Sequence, residues 1–230
     1  MPSRKKTLHF LSSALATCIA VVVLGFGMTR EWSATTMGCA GSVNGSVEGS
    51  AEVTLELFDG ILKRDVCPPF GGTSQFQVIP ALLGALTPCV LHGLVVCFLV
   101  VSLVFSASSI LISLYNSVSN PYQTCVGPQG VYVSSSISAC LSVVAMIVFV
   151  LNVSFTDMTK QLVWSVAGTS DVELRDASSQ MLLGFYLVIP YAACSLLAIL
   201  VIYMYDHAAY THRREQQRPT EDAPKEIMMY

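Results

Sequence analysis

Four apolar runs of spanning length divide the chain, separated by polar stretches of very different character. They cover residues 8–29, 89–115, 131–152 and 181–205, and each reaches the roughly 20 residues that a helix needs to cross the hydrocarbon core of a bilayer. The segments between them alternate differently. In AEVTLELF, Val53, Leu55 and Leu57 alternate with Glu52, Thr54 and Glu56, and SQFQV alternates again through Phe76 and Val78. A period of two over such a length predicts half-buried strands. The pattern therefore predicts an all-α membrane fold, a four-helix transmembrane bundle with a small extracellular β-structure in the first outer loop.

Composition agrees with the pattern. Apolar residues make up 53% of the chain and charged residues 12%, about half the roughly 25% usual in soluble domains. No Asp, Glu, Lys or Arg occurs between Val66 and Thr156, between Thr7 and Thr29, or between Ala177 and Tyr205. A soluble surface needs charge more often than that. The net charge of −3 and the lack of any long basic block give no footing for nucleic acid.

The first run is read as a retained signal anchor. Arg4, Lys5 and Lys6 precede it, as in a signal peptide, but the run is longer than a cleaved one and the small residues Ser13 to Ala16 lie inside it. Lys and Arg then set the orientation. Arg4, Lys5, Lys6, Arg213, Arg214, Arg218 and Lys225 crowd two short tails, whereas Arg30, Lys63, Arg64, Lys160 and Arg175 are spread over long loops. The expected order is a cytoplasmic N-terminus (1–7), first span (8–29), outer loop one (30–88), second span (89–115), cytoplasmic turn (116–130), third span (131–152), outer loop two (153–180), fourth span (181–205) and cytoplasmic tail (206–230). The chain is expected at the plasma membrane, with both termini inside.

The turn reads YNSVSNPYQTCVGPQGVYV. Pro121 and Pro128 cannot continue a helix, Asn120 is pushed from the helical region by the proline after it, and Gly127 and Gly130 admit backbone angles that other residues avoid. This stretch resembles the same turn in the clarins, a vertebrate family of four-span membrane proteins, and especially the third clarin paralogue. The resemblance extends to the start MPSRKKTLHFLSS, Trp32 outside the first span, the sequon at Asn44 and the tail REQQRPTEDAP. It implies a tetraspan fold related to the claudins, a left-handed bundle with extracellular β-structure. Trp32 fits the claudin loop pattern, but no Gly-Leu-Trp precedes Cys39, so polymerising junction strands are not implied.

Within the spans, Thr87 and Pro88 read as N-cap and first helical residue of the second helix. Ser102, Ser106, Ser109 and Ser113 form one small-residue stripe there, and Ser134, Ser138 and Ser142 form another in the third span. Such stripes let membrane helices approach closely and bond across the contact. Pro190 is expected to kink the fourth span.

Of eight cysteines, Cys39 and Cys67 are the ones clearly outside the membrane. Their pairing would close a loop of roughly 28 residues, worth about 3.5 kcal/mol by chain entropy. The other six read as apolar packing residues, with Cys125 a palmitoylation candidate. Asn44 heads a sequon on a Gly/Ser-rich loop and is expected to carry glycan, whereas Asn152 abuts the third span.

Catalytic patterns are absent from the sequence: His9, His92, His207 and His212 are scattered and every span lacks charge, which argues against an enzyme and against an ion-coupled transporter. His92 is expected to face headgroups or water at the outer end of span two. No cofactor or metal is expected. The chain ends on Ile227, Met228, Met229 and Tyr230, and an extended end would put Met228 and Tyr230 on one side, as a PDZ ligand requires. These features point to a non-enzymatic membrane organiser linking membrane contacts to cytoplasmic scaffolds, with the bilayer, lateral membrane proteins and a PDZ scaffold as partners. The alternative is an auxiliary subunit of a channel or receptor.

Overall fold

The computed structural model describes residues 4–40, 47–65, 71–118, 127–168 and 173–216. Four helices are long and apolar enough to cross a membrane: Lys6–Met28 within α1 (Arg4–Met28), α3 (Leu86–Val118), α4 (Pro128–Phe155) and Leu183–Ala208. Two shorter helices, α2 (Val78–Leu82) and α5 (Met158–Ala167), lie in the intervening segments. The fourth span is broken at Leu187 into α6 (Leu183–Tyr186) and α7 (Val188–Gln216). The break falls just ahead of Pro190, whose missing N–H cannot tie α7 back to the preceding turn.

Each long helix outruns its apolar core. α3 begins at Leu86, ahead of the expected cap Thr87, and continues to Val118, while α4 starts at Pro128 with Gly127 before it. The two helices therefore take in residues at both ends of the stretch expected between them. Pro128 opens a helix, where its lost donor would be unpaired in any case.

Five strands form one antiparallel sheet: β1 (Ser33–Ala40), β2 (Val47–Leu55), β3 (Asp59–Asp65), β4 (Gly72–Gln77) and β5 (Glu173–Met181), in the order β4-β3-β2-β1-β5. The expectation of β-structure confined to the first loop is corrected here. β5 comes from the second loop and pairs along β1 from Ser33↔Met181 to Ala40↔Glu173. The physical reason is packing: two strands alone are marginal in water, and a wider sheet with one face covered is not.

That covered face holds Met37 and Cys39 of β1, Ala51, Val53 and Leu55 of β2 and Leu62 of β3. They are packed against Val78 and Leu82 of α2 and Met158, Leu162 and Val163 of α5. α5 starts from a left-handed Asp157 (φ 49°) and stops at Gly168 (φ 69°), whose N–H bonds the Trp164 carbonyl, a left-handed helix cap. A second core runs from the sheet into the bundle through Trp32, Leu57, Val95, Phe149, Phe185 and Tyr191. A third, around Phe10, Val131 and Ile202, closes the far end.

Candidate functional site

The sheet and the bundle meet at Trp32, which leaves α1 and enters β1 within a few residues. Its backbone N–H donates to the Leu55 carbonyl (2.7 Å) and its own carbonyl accepts from Leu182 N–H (2.9 Å). Its indole Nε1 donates to the Gly27 carbonyl at 2.9 Å. The ring stands edge-on to Phe149 (5.1 Å between centroids) and Phe185 (6.2 Å), the geometry that aromatic quadrupoles favour. Gly184 lies against it, with a Cβ there meeting Trp32 Cδ1 at 2.6 Å and the Gly27 carbonyl at 2.8 Å. No side chain larger than hydrogen fits.

Two further polar clips hold the same end of the bundle. His92 of α3 is fully buried and its Nε2 lies 2.8 Å from the Leu57 carbonyl, in the turn between β2 and β3. The sequence expectation of an outward His92 is thereby corrected: a carbonyl left bare by the turn needs a donor in an apolar setting, and the imidazole supplies one. Asn152 of α4 is also fully buried, donating from Nδ2 to the Pro88 carbonyl at 3.1 Å and accepting on Oδ1 from Thr156 at 2.7 Å. A glycan has no room there.

Deeper in the bundle, the expected serine stripes are buried, and part of each meets across α3 and α4. Ser106 and Ser138 bond each other at 2.8 Å, and both bond the Tyr191 hydroxyl of α7. That hydroxyl also lies 3.1 Å from the Ser102 carbonyl. Ser109 reaches Ser135, not Ser134 (2.8 Å). Ser102, Ser134 and Ser142 turn back onto carbonyls of their own helices, those of Phe98, Gly130 and Ala139. Ser113 is buried, with its hydroxyl unpartnered among the described residues. Tyr191 and Ser135 escaped sequence reasoning, since a lone tyrosine in an apolar run gives no sign of its target.

The other expected sites divide. Cys39 is buried and disulfide-bonded, while Cys67, Asn44, Cys125, Met228 and Tyr230 lie outside the described residues. The reading of the remaining cysteines as packing residues is corrected for three: Cys18, Cys97 and Cys140 are exposed on the helices, and Cys89 and Cys194 are part-buried. Apolar helix exteriors are where a membrane chain can place a small apolar thiol without loss.

Chemically this constellation holds elements together. Among the described residues no group of three His, Cys, Asp or Glu could hold a metal ion. Beside β3 and β4 lies an open cavity of about 500 Å³, bounded by Glu56, Asp59, Gly60, Ile61, Gln75, Phe76 and Gln77.

Comparison with known proteins follows the same lines. A family model described as Clarin-2-like matches residues 4–201. Clarin-3 of Homo sapiens is 29% identical over 233 residues, covering 100% of both chains. Clarin-3 of Mus musculus is 28% identical over 231 residues, again 100% of both. Clarin-1 of Homo sapiens is 27% identical over 178 residues, 74% of this chain and 75% of its own.

Proposed function

The chain belongs to the clarin family as a Clarin-2-like, multi-pass membrane protein, and on that premise we propose that it is a non-enzymatic organiser of the plasma membrane. In this reading the sheet faces outward and makes lateral or cell-surface contacts, the bundle anchors it, and the tail recruits a cytoplasmic scaffold. The observation that carries the reading is the locked junction at Trp32. A sheet bonded to the bundle through backbone, indole and imidazole transmits a pull without folding away from the membrane.

Orientation rests on Arg4, Lys5, Lys6, Arg213 and Arg214 at the bundle end away from the sheet, the cytoplasmic side by charge. Pairing of Cys39 with Cys67 is supported by the bond Cys39 makes and by register: Cys39 faces Gly49 on β2, next to Ser50, which faces Asp65 at the end of β3. Asn44, between β1 and β2, then carries the glycan. Met228 and Tyr230 act as the PDZ ligand, and a peptide of the last ten residues should bind a PDZ domain with a free carboxylate and lose binding when amidated.

Affinity purification from native epithelium tests the role. Recovery of PDZ and other scaffold proteins is the expected result. Stoichiometric recovery of a channel or receptor subunit would replace the organiser by an auxiliary subunit.

A further inference from the structure

Both edges of the five-stranded sheet are open among the described residues, and they are not alike. β5 is guarded. Its pairing with β1 slips between Thr36 and Gly38, with Asp176 held at φ 52°, and it carries Arg175 and Asp176 on its exposed length. Bulges and charges of this kind keep other strands from adding to an edge. β4, GTSQFQ, has no charge, no proline and no bulge: its register with β3 runs unbroken from Asp59↔Gln77 to Arg64↔Gly72.

The outward backbone groups of β4 follow from one bond. Val78 N–H donates to the Phe58 carbonyl at 2.9 Å, which continues the β3–β4 register. Alternation then turns Phe76, Ser74 and Gly72 toward β3 and leaves Thr73, Gln75 and Gln77 with N–H and C=O pointing away from the sheet.

The surroundings of this edge are polarised. At the Gln77 end stand Glu56 and Asp59, beside the cavity, and neither forms an ion pair among the described residues. Phe76 lies over Gly60, its ring 2.5 Å from where a Cβ would be, on the covered face that holds Leu62, so alternation puts Asp59, Gln75 and Gln77 together on the opposite face. We propose that β4 is a docking edge for an extended segment of another protein, added antiparallel to β4, with an Arg or Lys near its N-terminal end seated over Glu56 and Asp59.

A strand opposite Gln77 lies two strand spacings from Asp59, about 9.6 Å. A long basic side chain on the same face crosses that distance. A second copy of this chain pairing through its own β4 would bring only Thr, Ser, Gln, Gly and Phe to the same place, which leaves both carboxylates unpaired. That is why the occupant is a basic partner segment. The inference deepens the organiser role and rests on it for the partner's being another protein.

The test uses the full chain in lipid nanodiscs and a capped synthetic strand, Arg-Thr-Val-Thr-Val-Thr. The expected result is saturable binding that weakens at least tenfold when Arg is replaced by Glu or moved to the C-terminal end, and that is lost when alternate backbone nitrogens are methylated. Gln75→Pro, which removes an outward N–H from an edge strand and is tolerated there, should abolish binding. Glu56→Gln with Asp59→Asn should abolish the preference for Arg over Glu. Absence of binding to the unmodified chain, equal binding of the Arg and Glu strands, or binding that survives both Gln75→Pro and methylation would overturn the proposal. So would efficient Gln75→Cys cross-linking between two copies, which would assign the edge to self-association. Failure here leaves topology and scaffold recovery untouched, since both are measured in cells.

Discussion

Replacing Gly184 by alanine adds one methyl group at the contact between α6 and Trp32. In an unconstrained helix that exchange stabilises by about 0.5–1 kcal/mol, so the sign of the effect reports the contact. The new Cβ would stand 2.6 Å from Trp32 Cδ1, 2.8 Å from Nε1 and 2.8 Å from the Gly27 carbonyl. The indole cannot swing aside, being set between Phe149 and Phe185, and the carbonyl belongs to α1. Overpacking of a tight core costs about 1–3 kcal/mol. If the ring moves enough to lose its bond to Gly27, the buried carbonyl adds about 1–3 kcal/mol. With both losses and the helix gain set against each other, the expected net loss is about 1–5 kcal/mol, near 2–4 °C of Tm per kcal/mol for a chain of this size. The assay is thermal unfolding of the purified chain in detergent, with Trp32 emission followed in a Trp164→Phe background. Gly184→Ala should melt lower and shift Trp32 emission to the red. Gly25→Ala, on α1 with nothing within 4 Å of its Cβ, should do neither. A Gly184→Ala chain with unchanged Tm and emission would refute the locked junction.

Three further outcomes follow from named contacts. Tyr191→Phe removes a hydroxyl shared by Ser106, Ser138 and the Ser102 carbonyl and should cost about 1–2 kcal/mol in the same melt; combined with Ser138→Ala it should cost less than the sum of the single changes. Asn44→Gln should remove the whole glycosidase-sensitive shift on a gel, whereas Asn152→Gln should leave the shift intact and lower Tm. Cys39→Ser, Cys67→Ser and the double variant should show the same retention in the secretory pathway by surface biotinylation; normal surface delivery of one single variant would break the pairing.

The spans were legible because a bilayer demands length and freedom from charge, and gaps such as Val66 to Thr156 display both. β2 was legible because Val53 and Leu55 face a core while Glu52 and Thr54, polar both, lie on the opposite face of the strand. β1, SATTMGCA, was not, since its inward positions include Ser33 and Thr35 and its outward ones include Ala34 and Gly38, so polarity does not alternate. β5 runs almost wholly exposed from Arg175 to Gln180 and carries no apolar face to read; its place is fixed by β1, far away in sequence. α5 left a readable signal in Met158, Leu162, Val163 and Val166, spaced as one helical face. His92 was misread because closeness to a helix end does not say which way a side chain points. Its partner, the Leu57 carbonyl, is a backbone atom that exists as a need only once the turn between β2 and β3 has formed.

The central claim is that both loops build one sheet fixed to the four-span bundle, on the side proposed above to face outward. Thr35 and Ser179 face each other across β1 and β5 with hydroxyl oxygens 2.8 Å apart, so cysteines at both positions fall within the Cα separation that a disulfide spans. The measurement is non-reducing electrophoresis of the Thr35→Cys/Ser179→Cys chain from intact cells, after cleavage at a protease site inserted between α3 and α4. The account predicts that the two fragments stay joined without added oxidant, as expected on the oxidising side of the membrane, and separate on reduction, while either single variant gives separate fragments. Fragments that separate without reductant, with both new thiols open to maleimide, would contradict it.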